Sequence, residues 1–204
     1  MARVPRSASE HPATWKFDYP IFHATTRRQV RSWLAANHDT APGVWLCSWR
    51  TPADGPRCPY PEAVEEAICF GWIDSTVNIL DDHRNLQQLT PRRPRSPWTR
   101  LNRQRAADME TAGLMTDAGR RAIETAQANG WWSIYDPVED LIEPAPLTVA
   151  LDAEPAARAS WDGFPPHARK MMLWWIVSAA KDETRARRIA EIVDKAAVGE
   201  RAQG

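Results

Sequence analysis

One stretch of the sequence, residues 60–75, predicts an amphipathic helix that ends abruptly beside a carboxylate. Pro61 fits the first turn of a helix, where its missing N–H would have no intrahelical partner. Apolar residues then recur at i, i+3, i+4, i+7 and i+8, the spacing of one buried helical face: Val64, Ala67, Ile68, Gly71 and Trp72. Asp74 comes two residues later, so the turn that ends this helix should present a carboxylate at the edge of the next element.

Short segments on both sides of this helix predict a small sheet. Apolar positions at helical spacing predict a helix over residues 25–37, and alternating large apolar residues predict a strand over residues 43–49. Residues 76–80 and 86–90 are compatible with strands and are separated by a polar turn. We therefore expect these two segments to form an antiparallel hairpin.

The remainder of the chain predicts helices. Ser96 and Pro97 predict the start of a helix, as its cap and its first residue. Residues 136–147 are acidic and rich in proline, as linkers often are. The predicted fold class is therefore α+β. A small antiparallel sheet with packed helices occupies residues 1–135, and an all-helical module follows over residues 148–204.

The charge balance and the cysteines narrow the classes of function. Lys+Arg and Asp+Glu both number 26, so the net charge is zero and no whole-protein field attracts nucleic acid or a membrane. The longest apolar run, residues 171–177, is too short to span a bilayer, and residues 1–15 lack the apolar run of a signal peptide. Three cysteines without metal-ligand spacing favour a reducing compartment. We therefore expect a cytoplasmic protein without a membrane partner, for which nucleic acid is an unfavoured ligand.

Two neighbouring segments carry charges of opposite sign. Residues 58–82 contain six acids and no Lys or Arg, whereas residues 83–105 contain seven arginines and no acids. Such segments tend to pair in space, and an exposed ion pair alone contributes only about 0–1 kcal/mol to stability. Purely structural pairing is therefore one interpretation of this pattern.

A small-molecule pocket is the other interpretation. Prolines flank Arg92 and Arg93, and a stiff backbone lowers the entropy lost when a guanidinium is held against a carboxylate or phosphate. Aromatic walls with a few fixed charges are typical of small-molecule pockets. The predicted ligand-binding residues are Trp72, Arg92, Arg93, Ser96, Trp98 and Asn102.

Catalysis is the alternative function. Asp74 and Glu66 are the candidate catalytic residues, since two carboxylates can divide acid and base roles when burial separates their pKa values. Cys69 is a poor candidate nucleophile, because the glutamates of its helix would raise the pKa of its thiol. The histidines lack metal-ligand spacing, and the sequence contains neither a phosphate-binding glycine loop nor a GxSxG motif. We therefore expect no metal and no cofactor.

Four sequence segments are distinctive in combination: YPEAVEEAICFGWIDS (60–75), LTPRRPRSPWTRLN (89–102), GLMTDAG (113–119) and AKDETRARRI (180–189). In this order they resemble the YdeI/OmpD-associated family, also called bacteriocin-protection proteins, from about Trp33 to Gly199. The resemblance implies tolerance of antimicrobial peptides or similar toxins, and it supplies no catalytic residues. Leu89 departs from the family's pattern, which commonly has an aromatic residue before the Thr-Pro-Arg motif, and this difference indicates a reshaped pocket.

Together these observations predict a cytoplasmic protein that binds a small molecule or a peptide. Binding in a pocket lined by tryptophan, arginine and carboxylate side chains would protect against a toxic or antimicrobial compound. The alternative is an enzyme of a biosynthetic or detoxifying pathway that uses Asp74 and a glutamate of the central helix for acid–base chemistry. Both functions require a pocket near Trp72 and Arg92.

Overall fold

The computed structural model describes residues 19–202. The chain divides into two compact units, Met1–Trp132 and Ser133–Gly204. The first unit contains a sheet with packed helices, and the described residues of the second unit form helices without strands. The predicted α+β class with a following helical part is therefore confirmed.

Within residues 19–132, four strands form the sheet of the N-terminal unit, in the order β1-β2-β4-β3. Their bounds are β1 Ile21–His23, β2 Val44–Trp49, β3 Trp72–Asp81 and β4 Arg84–Pro91. β3 and β4 form the predicted antiparallel hairpin and extend it until Trp72 pairs with Pro91. β1 pairs in parallel with β2, so the sheet is mixed; a strand of three residues is too short to give a recognisable pattern in the sequence.

Helices pack against one face of this sheet. Their bounds are α1 Arg27–Asn37, α2 Tyr60–Cys69, α3 Arg100–Thr111 and α4 Asp117–Ala128. Leu46 and Leu89 of the sheet share one core with Leu34 of α1 and Ile68 of α2. The apolar face that the sequence predicts for the central helix is therefore the face that α2 buries.

α2 ends at the glycine that the sequence indicates. Gly71 has a positive φ of 72°, and a Cβ there would lie 2.8 Å from the Ala118 carbonyl oxygen of α4. Glycine alone tolerates both this backbone conformation and this close approach. The chain therefore passes from α2 directly into β3, with Trp72 buried and Asp74 two residues further along.

The start of α3 differs from the prediction. Thr99, and not Ser96, caps α3: its hydroxyl accepts a hydrogen bond from the Asn102 N–H at 3.2 Å. The Ser96 hydroxyl accepts a hydrogen bond from the Arg93 N–H at 3.0 Å and closes a turn before the helix. Serine and threonine are both good caps, and the turn occupies the Ser96 hydroxyl, which leaves the cap to Thr99.

The C-terminal unit has its own core. Its helices are α5 Asp136–Glu139, α6 Ala145–Asp152, α7 Pro155–Gly163, α8 Pro166–Val177 and α9 Asp182–Ala197. Residues 136–147, predicted as a linker, contain α5 and the start of α6. Val138 and Leu147 from this segment are fully buried in the same core as Trp161. Burial of these two apolar residues is the reason that the segment folds as part of the unit.

One carboxylate joins several helices of this unit. Glu143 lies just before α6 and is 12% exposed. Its oxygens accept hydrogen bonds from Arg158 and Trp161 of α7 at 2.7–2.8 Å, and Arg169 of α8 donates at 3.3 Å. The hydrogen bonds from Arg158, and then from Trp161, lower the pKa of Glu143. This carboxylate is saturated by protein donors, which indicates a structural role.

Candidate ligand-binding sites

Arg92 is a half-buried cation that follows the end of β4. Its guanidinium carbon lies 3.6 Å from the centre of the Trp98 ring, close enough for a cation–π interaction. Its Nε donates to the Trp72 carbonyl oxygen at 3.2 Å, and its Nη1 donates to that of Pro97 at 3.1 Å. Its Nη2 is buried and has no hydrogen-bond partner among the described residues. Burial lowers the pKa of Arg92, but arginine starts near 12.5, so the side chain stays charged at neutral pH.

A cleft of about 240 Å³ opens beside this arginine, and we name it the Arg92 cleft. Trp72, Arg92, Arg93 and Trp98 line it, so four of the six predicted ligand-binding residues lie together. Arg121 of α4 lines the same cleft. Arg93 and Arg121 are exposed, and neither forms an ion pair within residues 19–202. The cleft therefore combines one fixed, half-buried cation with two exposed cations that the described protein groups leave unpaired.

The other two predicted ligand-binding residues lie outside this cleft. Ser96 is engaged in the turn before α3, and the Asn102 side-chain oxygen accepts a hydrogen bond from Arg105 at 3.0 Å. Asp74, a predicted catalytic residue, accepts a hydrogen bond from the Tyr60 hydroxyl at 2.5 Å. Burial, together with this bond, raises the pKa of Tyr60 to about 12, so the hydroxyl keeps its proton and remains the donor.

Glu66, the second predicted catalytic residue, is held in an ion-pair cluster. Its side chain is 1% exposed, and its two oxygens accept hydrogen bonds from Arg27 at 2.6 Å and from Arg31 at 2.7 Å. Arg27 also pairs with Glu65 at 2.7 Å; we call these four side chains the Glu66 cluster. Within the described part of the chain, Glu66 and Asp74 share no hydrogen-bond partner. Glu66 therefore fastens α2 to α1, and its pairing with Asp74 in acid–base chemistry stays a prediction.

The acidic segment therefore has two sets of partners. Glu65 and Glu66 pair with arginines of α1. Asp81 pairs with Arg84 of the arginine-rich segment across the hairpin turn. Arg92 has no ion pair among residues 19–202. The sequence does contain a signal for the observed pairing: Arg27 and Arg31 are four residues apart, the spacing that places two cations on one helix face.

A larger cavity, of about 670 Å³, lies in the same unit and was missed by sequence reasoning. We name it the sheet cavity. Its strand residues belong to neighbouring positions of β2, β4 and β3: Leu46, Ser48, Asn85, Gln87 and Val77. Further lining comes from the end of β2, the loop before α2 and the start of α2: Trp49, Pro52, Pro56, Pro59 and Tyr60. Apolar groups dominate this lining. The three prolines of the loop were the available signal of a rigid segment over the sheet.

The cysteines are poor nucleophiles in this environment. Cys58 lines the sheet cavity, but burial and the nearby charge of Glu62 raise the pKa of its thiol to about 11. Burial and Glu66 also raise the pKa of Cys69 to about 11. The expectation that Cys69 is an inert thiol is therefore supported.

A membrane-spanning helix and a metal-binding cluster are both absent from the described part of the chain. Among residues 19–202, no helix has both the length and the apolar character that a membrane span requires. The same residues contain no group of three or more His, Cys, Asp and Glu side chains placed to hold a metal ion.

Two family models match separate parts of the chain. The family described as Bacteriocin-protection, YdeI or OmpD-Associated matches residues 140–199, which cover most of the helical unit. The resemblance to this family is therefore shown for residues 140–199. Its description indicates a role in bacteriocin protection, and the match includes the segment 180–189 on which part of the resemblance rests.

The candidate sites lie in the other matched region. Residues 22–122 match a domain of unknown function, DUF8412, and this range includes the three N-terminal segments on which the rest of the predicted resemblance rests. The match to the bacteriocin-protection family does not extend to these segments. The lining residues named above for the Arg92 cleft and the sheet cavity fall within it. No curated protein and no solved structure matches the chain. The ligand must therefore be inferred from the geometry of these sites.

Proposed function

We propose that the protein binds a small molecule, or the apolar part of a peptide, in the sheet cavity and thereby protects against a toxic or antimicrobial compound. One observation carries this proposal, a cavity of about 670 Å³ lined mostly by apolar side chains. Ligand pockets in proteins typically enclose about 300–1,000 Å³ and combine apolar walls with a few polar groups. The family of residues 140–199 supports the protective role, since its description names bacteriocin protection.

The lining of the cavity favours an amphiphilic ligand. Trp49 and Tyr60 offer aromatic surface, and the amides of Asn85 and Gln87 supply polar groups. The Tyr60 hydroxyl is bound to Asp74, which brings a carboxylate next to the cavity wall. Arg57 also lines the cavity, so a ligand with an apolar body and one polar end, of either charge, would satisfy both parts of this lining.

Apolar surface continues outside the cavity along β3. Val77 lines the cavity and is 59% exposed, and Ile79 is 66% exposed. Side chains two residues apart lie on the same face of a strand, and β3 is at the edge of the sheet. An elongated ligand such as a peptide can therefore place one end in the cavity and extend along β3.

The cytoplasm is the proposed place of action. The three cysteines of the chain are buried and form no disulfide, which is typical of a reducing compartment. An enzymatic role has weaker support, because Asp74 and Glu66 belong to separate hydrogen-bonded groups of the described residues.

Filling the sheet cavity tests the proposal. Ser48→Phe adds an aromatic ring to the cavity lining, whereas the matched control Ser32→Phe adds the same ring at an exposed position of α1. The melting temperature is measured with a panel of bacteriocins and amphiphilic antimicrobials. We expect at least one compound to stabilise the wild type and the control, and to bind Ser48→Phe about tenfold more weakly or worse.

Survival of expressing bacteria connects binding to protection. Cells that express the wild type or Ser32→Phe should survive that compound better than cells that express Ser48→Phe. A panel that leaves every melting temperature unchanged, or a Ser48→Phe variant that binds and protects like the wild type, would contradict the proposal.

A further inference from the structure

We propose that the Arg92 cleft is a second binding site, for a phosphate group that belongs either to inorganic phosphate or to a small phosphate monoester. The named lining residues of this cleft differ from those of the sheet cavity. The two sites can therefore be tested separately, and the phosphate site does not depend on the proposed protective function.

The charge of the cleft matches that of a phosphate monoester. Arg92, Arg93 and Arg121 contribute three positive charges, and Asp39 is the acid among the described lining residues. Three cations less one anion leave a charge of +2 with His38 neutral. A phosphate monoester carries about −1.5 to −2 at pH 7, so ligand and cleft would neutralise each other.

The cations of the cleft are not ion-paired within the described residues, although the charge of Asp74 partly opposes the effect of burial on the pKa of Arg92. No carboxylate within residues 19–202 forms an ion pair with Arg92, Arg93 or Arg121. A buried charge is normally paired, because removing it from water is costly. One nitrogen of the Arg92 guanidinium is also buried without a hydrogen-bond partner among the described groups. An anion bound in the cleft would supply the missing counter-charge.

The arginines are arranged so that binding costs little entropy. The Arg92 guanidinium is fixed by its stacking on Trp98 and by its hydrogen bonds to two carbonyl oxygens. Arg93 follows on a backbone with proline on both sides, and Arg121 stands on α4. Exposed guanidinium groups on two separate elements can each donate two parallel hydrogen bonds to phosphate oxygens.

The size of the cleft and the burial of its tryptophans favour a small ligand over a nucleic acid. Its volume of about 240 Å³ is below that of most pockets for drug-sized molecules. Trp72 and Trp98 are each only 1% exposed, so their ring faces are covered by protein. Proteins that bind single-stranded nucleic acid need accessible aromatic faces for the bases. The cleft therefore fits the phosphate group and leaves little room for a stacked base.

Nuclear magnetic resonance provides a local measurement. The indole N–H signals of Trp72 and Trp98 report on the cleft, and that of Trp161 in the C-terminal unit is a reference. The full chain is titrated with sodium phosphate and with glycerol phosphate, and with sodium chloride at equal ionic strength. We expect a saturable shift of the two cleft signals with at least one of the phosphates and not with chloride. The phosphate that binds more tightly identifies the natural source.

Three matched variants locate the binding. Arg93→Gln and Arg121→Gln should each weaken phosphate binding about tenfold or more, since a hydrogen bond to a charged group is lost. Arg95→Gln removes an exposed arginine that does not line the cleft and should bind like the wild type. Because all three side chains are exposed, the melting temperatures should stay near that of the wild type.

Other outcomes would overturn the proposal. It fails if phosphate shifts the signals no more than chloride, or if Arg93→Gln and Arg121→Gln bind like Arg95→Gln. It also fails if only a single-stranded oligonucleotide gives a saturable shift. Ser48→Phe should retain phosphate binding, so failure of the sheet-cavity proposal is distinguishable from failure of this one.

Discussion

The Glu66 cluster and the Arg92 cleft use the same chemical groups in opposite ways. In the cluster, Arg27 and Arg31 occupy both oxygens of a carboxylate that is 1% exposed. In the cleft, the half-buried Arg92 has one buried nitrogen without a partner among the described groups, and Arg93 has no ion pair there. The cost of burying a charge is offset within the protein in the first case, and we propose that a bound anion offsets it in the second. The Glu66 cluster and the Arg92 cleft therefore differ less in their number of charges than in whether protein groups pair those charges. We call a charged group saturated when protein partners occupy its hydrogen-bonding atoms.

Breaking the saturated cluster should have the largest effect on stability. Glu66→Gln nearly preserves shape but removes the charge that Arg27 and Arg31 share. Removing one partner of a buried ion pair costs about 3–5 kcal/mol, but these arginines are 30% and 32% exposed and water can partly replace the carboxylate. We therefore expect the free energy of unfolding to fall by about 2–3 kcal/mol. The three buried cysteines all lie in the N-terminal unit, so thiol labelling in urea measures its unfolding.

Glu124→Gln provides the matched control. Glu124 is exposed on α4, so the same substitution there should change the free energy of unfolding by less than about 0.5 kcal/mol. Phosphate binding in the Arg92 cleft should be unaffected in both variants. Equal small effects of Glu66→Gln and Glu124→Gln would show that the cluster contributes little, and the contrast with the cleft would lose its basis.

Local patterns predicted the elements that surround the cleft. The apolar spacing in residues 60–72 identified α2 and its end at Gly71, and two β-compatible segments identified the hairpin. Since an antiparallel hairpin brings its two outer ends together, Trp72 and Pro91 become register partners. The approach of Trp72 to Arg92 follows from this pairing. For this reason the sequence could predict that a tryptophan and the two arginines lie in one place.

Features that depend on distant contacts could not be predicted. The partners of Glu66 are 39 and 35 residues away, and neighbouring charge along the chain suggested other arginines. The sheet cavity exists because the loop before α2 covers polar and apolar positions of three strands, and no local pattern specifies the path of such a loop. The short parallel strand β1 and the core position of Val138 were missed for the same reason.

A second saturated carboxylate extends the comparison to the C-terminal unit and adds pH dependence. Folding lowers the pKa of Glu143 from its ordinary value of 4.5, chiefly through the hydrogen bonds from Arg158. The resulting stabilisation is fully present above the unfolded-state value and is lost as the pH falls through the lower folded-state pKa. Glu143→Gln should therefore lower the free energy of unfolding by about 1–2 kcal/mol at pH 7, and by less as the pH falls below 4.5.

Hydrogen exchange of the α7 and α8 amides, corrected for intrinsic rates, measures this effect. Glu191→Gln, an exposed substitution on α9, is the control and should behave like the wild type at every pH. A Glu143→Gln variant whose deficit stayed constant from pH 7 to pH 3 would show that shape, and not the carboxylate charge, holds these helices together.

The smallest effect on stability is expected from substitutions in the Arg92 cleft. Replacing both Arg93 and Arg121 with glutamine removes two exposed cations that have no carboxylate partner among the described residues. Without phosphate, the free energy of unfolding should change by less than about 0.5 kcal/mol, and slight stabilisation is expected because repulsion from Arg92 is relieved. A loss above about 1 kcal/mol would make these arginines structural and would remove the distinction from the Glu66 cluster.

Adding phosphate should make the wild type more stable than the double variant. A ligand that binds the folded state stabilises it by RT ln(1 + [L]/Kd), which is about 2.7 kcal/mol at one hundred times the Kd. The wild type should gain this amount in thiol-labelling experiments, whereas the double variant, with a Kd about tenfold higher or more for each arginine lost, should gain far less. Arg93 and Arg121 would then have little effect on folding and a large effect on phosphate binding. The side chains of the Glu66 cluster should show the opposite behaviour.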